Sequence, residues 1–119
     1  MPKYAALIYN PPDLNGHEDP VILAEYGEFV EKATSAGVLL VGEPLEDVHT
    51  ATTVQVAGRK KGGKLTTTDG PFAETREILA GFFLLDCRDL DDAIDWASQI
   101  PGAWYGKIEV RPVADVASG

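Results

Sequence analysis

The positions of apolar residues along the chain predict two amphipathic helices. The first opens at Asp19-Pro20, where an aspartate can cap the free amides and proline suits the first turn, and Gly37 favours a left-handed end. The second opens at Asp89 and ends at Pro101-Gly102. The apolar stripes are Ile22, Tyr26, Phe29, Val30 and Ala33 in the first helix, and Leu90, Ala93, Ile94, Ala97 and Ile100 in the second.

Short apolar or alternating runs between and around these helices predict six strands. They cover residues 4–9, 38–41, 52–57, 64–68, 78–87 and 107–113. The third and fourth are joined by the basic, glycine-rich turn Gly58–Gly63 and form a hairpin. The order is β-α-β, hairpin, β-α-β in a single domain over residues 1–119. This order predicts an α+β fold, namely a ferredoxin-like split β-α-β sandwich with an inserted β-hairpin.

The strand at 78–87 is strongly apolar on both faces, although the two helices can cover only one face of the sheet. In the last strand, Ile108 and Val110 point one way, while Glu109 and Arg111 point the other. An apolar face without helices suggests a partner sheet. The pattern therefore predicts a homodimer whose sheets face each other.

Composition narrows the range of partners. The chain has 119 residues and a formal charge of -9. Such an acidic chain repels phosphate backbones and anionic lipid surfaces, so we expect neither nucleic acid nor membrane as a partner. No apolar run reaches the length of a membrane span, and the N-terminus does not resemble a signal peptide. Cys87 is the only cysteine, and its apolar surroundings predict an inert packed thiol in a cytoplasmic protein.

The segment Asp69-Gly70-Pro71-Phe72 carries a family resemblance. Together with segments spread over nearly the whole chain, it resembles the DGPF branch of the YCII-related proteins. The resemblance implies a ferredoxin-like fold that dimerises into an α/β barrel. The segments that match are 3–9, 26–29, 36–39, 42–45, 52–54, 68–77, 90–101 and 108–113.

The resemblance also implies where an active site would lie. The broader YCII-related proteins are thought to use an Asp–His pair, with the histidine on the first helix and the aspartate just before a proline after the second. In this chain those positions hold Tyr26 and Ile100. The aspartate of the DGPF motif lies in a different segment and does not replace the missing one.

Four acidic or aromatic residues are candidates for a site. Asp69 either holds a structural turn with Gly70 and Pro71, in which Phe72 anchors the turn in a core, or presents a carboxylate at a pocket rim. Glu43 ends a buried-type strand and either faces a cavity or is solvated. Glu74, in the segment Glu74–Glu77, is a further binding candidate, and the alternative is a turn held by weak ion pairs.

Arg111 could bind a carboxylate ligand from inside a barrel, or pair with a nearby acid. Tyr9 and Tyr26 could offer hydroxyls to a pocket, or pack in the core. His17 and His49 lie in loops without the spacing of metal ligands, so we expect no metal site. No glycine-rich phosphate loop is present in a strand–helix context, so we expect no cofactor.

These residues leave two functional hypotheses. The first is a small-molecule enzyme or binder, with Asp69 or Glu43 as the acid–base group and Arg111 holding an anion. By resemblance to related dimeric barrels, its reaction would be a cofactor-independent lyase, isomerase or dehalogenase-like step. The second is a non-catalytic regulatory protein associated with an extracytoplasmic-function sigma factor, by family analogy only. Fold alone does not decide between them.

Overall fold

The computed structural model describes residues 2–14, 18–72 and 76–116. Within these ranges the chain forms six strands and three helices, and all eight predicted elements are confirmed. The short helix α3 was not predicted, because Pro101-Gly102 has the composition of a helix stop. The strands are Lys3–Asn10 (β1), Leu39–Pro44 (β2), Thr52–Val56 (β3), Leu65–Asp69 (β4), Ile78–Asp86 (β5) and Lys107–Pro112 (β6), and the helices are Pro20–Ser35 (α1), Leu90–Ala97 (α2) and Gly102–Tyr105 (α3).

Four strands form one antiparallel sheet in the order β2-β5-β1-β6. With the hairpin left out, this is the strand order second, third, first, fourth, which is compatible with a ferredoxin-like fold. The hairpin β3–β4 forms a separate two-stranded sheet. The α+β class and the inserted hairpin are therefore confirmed. The four-stranded sheet of the described chain does not close on itself, so the dimeric barrel stays a prediction.

Both long helices begin where the sequence places their caps. The Asp19 side chain accepts hydrogen bonds from the amides of Val21 (2.9 Å) and Ile22 (3.4 Å). Asp89 accepts from the amide of Asp92 at 2.9 Å. After α1 the backbone turns at Gly37 with a φ of 73°, a conformation that glycine adopts without strain.

The core lies between one face of the four-stranded sheet and the helices. From α1 it takes Phe29 and Ala33, and from β5 it takes Phe83 and Leu85, all buried. Phe29 and Phe83 pack with ring centroids 5.0 Å apart. The predicted stripes were too wide, because their flanking positions, Val30 in α1 and Leu90 and Ile94 in α2, are exposed. The helix α2 has only eight residues, and its small alanines make the close contact.

The opposite face of the sheet carries no helix. Cross-strand pairing places Leu84 of β5 between Val41 and Ala5, and Phe82 between Glu43 and Leu7. The neighbouring positions on β6 are Arg111 and Glu109. This uncovered face is therefore apolar along its middle strands and charged toward the β6 edge.

Candidate functional site

A cavity of about 520 Å³ lies between α1 and one end of the sheet. Its wall on the helix side consists of Leu23, Tyr26 and Val30. The sheet contributes the ends of β1 and β2 and the start of β5, and the loops at 10–14 and 44–49 complete the wall. A volume of this size falls within the range of small-molecule sites.

Gly42 shapes the aromatic wall of this cavity. A Cβ at Gly42 would overlap Cδ1 and Cε1 of Phe83, which is its cross-strand partner. Because Gly42 has no side chain, the Phe83 ring can lie directly over β2. That ring also packs near Tyr26, with centroids 6.3 Å apart, and against Phe29. The cluster joins the wall of the cavity to the core.

Tyr26 supplies a hydroxyl group at this wall. A Cβ on Gly102 would lie 2.8 Å from the Tyr26 hydroxyl and 2.7 Å from Ile8 Cγ2, so these three groups are in contact. Burial raises the pKa of Tyr26 to about 12, although a backbone hydrogen bond from Gly102 acts in the opposite direction. At neutral pH the hydroxyl is therefore uncharged and can donate a hydrogen bond.

The fold brings Tyr26 close to the segment in which the resemblance expects the aspartate of an Asp–His pair. Tyr26 on α1 meets Gly102, two residues after Ile100. Ile100 is fully buried in the core. Tyr26 thus contacts the backbone two residues beyond the position expected for the aspartate, and the residue at that position is an apolar side chain of the core.

Asn10 is a polar residue of this wall that sequence reasoning missed. It is the last residue of β1 and lines the cavity. Its side-chain oxygen Oδ1 is buried and has no hydrogen-bond partner among the described residues. In the sequence, Asn10 is an amide residue at the end of an apolar strand, which could have indicated a polar group at a buried wall. Because it comes directly before Pro11-Pro12, we assigned it to the following loop.

The charged groups around the cavity are acidic. Its wall includes Glu43, Glu46 and Asp47, and contains neither lysine nor arginine among the described residues. Asp47 accepts a hydrogen bond from the amide of His49 at 2.8 Å, which fixes a 3₁₀ turn at the rim. Glu43 contributes atoms to this wall, but the alternation of β2 places its exposed side chain on the sheet face opposite to Gly42.

The DGPF segment lies away from the cavity. Asp69 ends β4 opposite Thr52 and is exposed. The following turn is held by the Gly70 amide, which donates to the Ala51 carbonyl at 2.7 Å, and by the Thr53 hydroxyl, which donates to the Gly70 carbonyl at 2.9 Å. Phe72 is 90% exposed, so the expectation that it anchors the turn in a core is wrong for this chain.

The three predicted polar residues Asp69, Glu43 and Arg111 are not brought together within the described chain. Arg111 is on β6 and Glu43 on β2, at opposite edges of the sheet and roughly 14 Å apart across three strand spacings. Arg111 instead lies 3.9 Å from Glu109, and both side chains are largely exposed.

The remaining candidates are also dispersed. Tyr9 is half-buried on β1, opposite Lys107 and Leu79, and does not line the cavity. Glu74 lies outside the described residues. Glu77, at the end of the same segment, forms an ion pair with Lys107 at 2.7 Å.

Two features of the described residues concern metals and membranes. In the part of the chain that is described, no three His, Cys, Asp or Glu side chains converge as a metal site would require. None of the described helices is both long enough and apolar enough to span a bilayer.

Comparisons with known proteins agree with the architecture. A family model described as the YCII-related domain matches residues 2–117. An uncharacterized protein of Rhizobium meliloti (strain 1021) is 36% identical over 117 residues, which cover 93% of this chain and 91% of the relative. The chain therefore belongs to the YCII-related domain family.

Proposed function

We propose that this protein binds a small organic molecule, neutral or cationic and with an apolar body, in the cavity between α1 and the sheet. The observation that carries the proposal is the cavity itself, about 520 Å³ in volume, with an aromatic wall and few polar groups. Ligand sites in proteins have this size and this mixture of surfaces.

The charges of the wall restrict the class of ligand. Glu46 and Asp47 line the cavity, and the described wall contains no lysine or arginine that could pair with a carboxylate or phosphate. An anion would therefore meet like charges, and no lysine or arginine of the described wall would compensate them. Arg111, the anion holder of the first hypothesis, lies outside this wall and plays no part in the proposal.

The polar groups suit binding better than proton transfer. Because burial raises the pKa of Tyr26 to about 12, this hydroxyl is not a base at neutral pH. It remains a hydrogen-bond donor with an orientation set by Gly102. The proposed function is therefore binding of a ligand and not catalysis of a proton transfer.

Three probes of the same shape and different charge test this class by isothermal titration calorimetry. We expect benzamide and benzamidinium to bind on the order of millimolar or tighter, and benzoate to bind about tenfold more weakly than benzamide. Equal or tighter binding of benzoate would contradict the charge argument, and absence of binding for all three would contradict the proposal.

Two matched variants locate the binding. Val30→Phe adds a ring at the helix wall of the cavity and should weaken benzamide binding at least severalfold. Val21→Phe is the control, because Val21 is on the same helix, is 63% exposed and does not line the cavity. Equal effects of the two changes would place the binding elsewhere.

We also propose that two copies associate through the uncovered face of the sheet. The Cα radius of gyration is 16.4 Å, whereas a compact domain of this length has about 13.5 Å. The molecule measures 46 × 42 × 19 Å and is therefore flat. A second sheet packed on the apolar uncovered face would thicken the molecule along its shortest axis and bury that face. The family resemblance supports the same arrangement.

Light scattering at micromolar concentration tests this association. We expect the mass of a dimer for the natural protein, and a monomer for Leu84→Lys, which introduces a charge in the middle of the uncovered face. Val21→Lys on the exposed side of α1 is the control and should stay dimeric. A monomeric natural protein would overturn the proposal.

Within the family we propose that the chain belongs to the DGPF branch. The motif at 69–72 and its surroundings at 68–77 support this placement. An extracytoplasmic-function sigma factor gene beside this gene would favour the regulatory hypothesis, and its consistent absence among close relatives would weaken it.

A further inference from the structure

The hairpin β3–β4, residues 52–69, is an arm whose side chains are almost all open to solvent. It forms a two-stranded sheet of its own, apart from the four-stranded sheet. All five residues of β4 are exposed, and in β3 only Thr53 is half-buried. A two-stranded hairpin that packs against nothing is only marginally stable in water. A single described copy of the chain therefore does not supply the packing surface that this arm needs.

The two faces of the hairpin arm differ in polarity. Cross-strand pairing sets Val56 opposite Leu65 on one face. Val54 lies on this face as well, because side chains two residues apart on a strand point the same way. The other face carries Gln55 opposite Thr66. Val54 is 62% exposed and Leu65 is 60% exposed, although such alternation is typical of strands that bury their apolar face.

The tip of the hairpin arm is the basic part of an acidic molecule. Residues 58–64 contain four exposed lysines and arginines, no acidic residue, and thus a formal charge of +4. The rest of the chain carries six lysines and arginines against 19 acidic residues, a formal charge of -13. A second copy of the chain therefore offers this tip a surface of opposite charge.

We propose that the hairpin arm of one copy packs its apolar face on a second copy and places its basic tip against acidic side chains of that copy. In a dimer with twofold symmetry this contact is made twice, once by each arm. The inference rests on the proposed association through the uncovered sheet face and adds to it a second contact region. Opposite charge favours this partner over a nucleic acid or an anionic lipid surface, which the rest of the molecule repels.

Val54→Asp and Gln55→Asp are a matched pair that tests the apolar face. The two residues are neighbours on β3, both are exposed, and they lie on opposite faces of the arm. Analytical ultracentrifugation gives the dissociation constant of the dimer. We expect Val54→Asp to raise it about tenfold or more, because the buried apolar contact is lost in both arms, and Gln55→Asp to raise it about threefold or less. Equal effects of the two changes would refute the apolar contact.

Lys60→Glu combined with Lys61→Glu tests the basic tip. Lys32→Glu combined with Arg88→Glu is the control, because it produces the same net charge from exposed cations outside the arm. At low ionic strength the tip variant should raise the dissociation constant about fivefold or more beyond the control. This difference should vanish at about 1 M salt, where the Debye length is only about 3 Å. Equal dissociation constants for tip variant and control would show general repulsion and refute the role of the tip.

The outcomes distinguish this inference from the proposed association beneath it. If the natural protein is a monomer, the association fails and the arm contact fails with it. If the natural protein is a dimer and both arm variants dimerise equally well, the role of the arm is refuted and the sheet-face association stands. Aspartate disfavours strands on either face of the arm, so partial unfolding of the hairpin affects both members of the Val54 and Gln55 pair and their comparison still decides. Binding of an oligonucleotide at physiological salt that the tip variant abolishes, measured by fluorescence anisotropy, would assign the tip to another partner and overturn the inference.

Discussion

Replacing Gly42 with alanine tests how the cavity wall is built. The structure leaves no room for this methyl group, since a Cβ at Gly42 would overlap the Phe83 ring. Phe83 is only 6% exposed and cannot turn toward solvent without leaving Phe29 and Tyr26. The ring or the β2 backbone must therefore shift.

The cost follows from what overpacking does in a tight core. Inserting a methyl group into such a site destabilises by about 1–3 kcal/mol. For a domain of this length, about 2 kcal/mol lowers the melting temperature by roughly 8 °C. A displaced Phe83 ring also changes the shape of the cavity, so benzamide binding should weaken together with stability.

Gly27→Ala is the matched control for this experiment. Gly27 lies inside α1, and a Cβ there would meet nothing within 4 Å. Alanine in an exposed helical position is favoured over glycine by about 0.5–1 kcal/mol, so this change should stabilise. Urea unfolding followed by circular dichroism measures both variants. A Gly42→Ala protein as stable as the natural one would refute the account of the wall.

Three further outcomes follow from the described contacts. Asp69→Asn and Asp69→Ala should each change the free energy of unfolding by about 0.5 kcal/mol or less, because backbone groups hold the turn. Gly70→Ala, at a φ of 98°, should lower the free energy of unfolding measured in urea by about 1 kcal/mol or more. A large loss of stability for Asp69→Asn would contradict this expectation. Burial raises the pKa of the Cys87 thiol to about 11, so native protein at pH 8 should react with a thiol reagent far more slowly than unfolded protein, and equal rates would disprove its packing. The pKa of Tyr26 is about 12 in the folded state against 10 for a free tyrosine. The contribution of the neutral, buried hydroxyl to the free energy of unfolding is therefore complete below pH 10 and is lost between pH 10 and 12. Tyr26→Phe should flatten this decline in the free energy of unfolding, and an identical pH profile would count against the burial of Tyr26.

The fold was predictable because its signals are local. Asp19 and Asp89 cap the helices through bonds to amides two or three residues away, and Gly37 ends α1 with its own backbone. The alternation in β6 likewise gave the correct faces for Ile108 and Arg111. Each of these signals involves residues that are only a few positions apart in the sequence.

The site was only partly predictable, because its geometry depends on contacts between distant segments. Tyr26 was a candidate from its helical position, but its contact with Gly102 requires the packing of α1 against the end of the sheet. Asn10 gave no local signal of burial. The DGPF motif predicts a turn correctly, since proline and glycine restrict the backbone, but nothing in those four residues determines where Phe72 points.

The most direct test of the central claim is a titration of isotope-labelled protein with benzamide, followed by protein-observed NMR. We expect saturable shifts of the backbone amides around the cavity, at the end of β1, the middle of α1 and the start of β5, with Asn10 and Tyr26 among them. Shifts confined to the uncovered sheet face around Leu84, or the absence of any saturable shift, would contradict it.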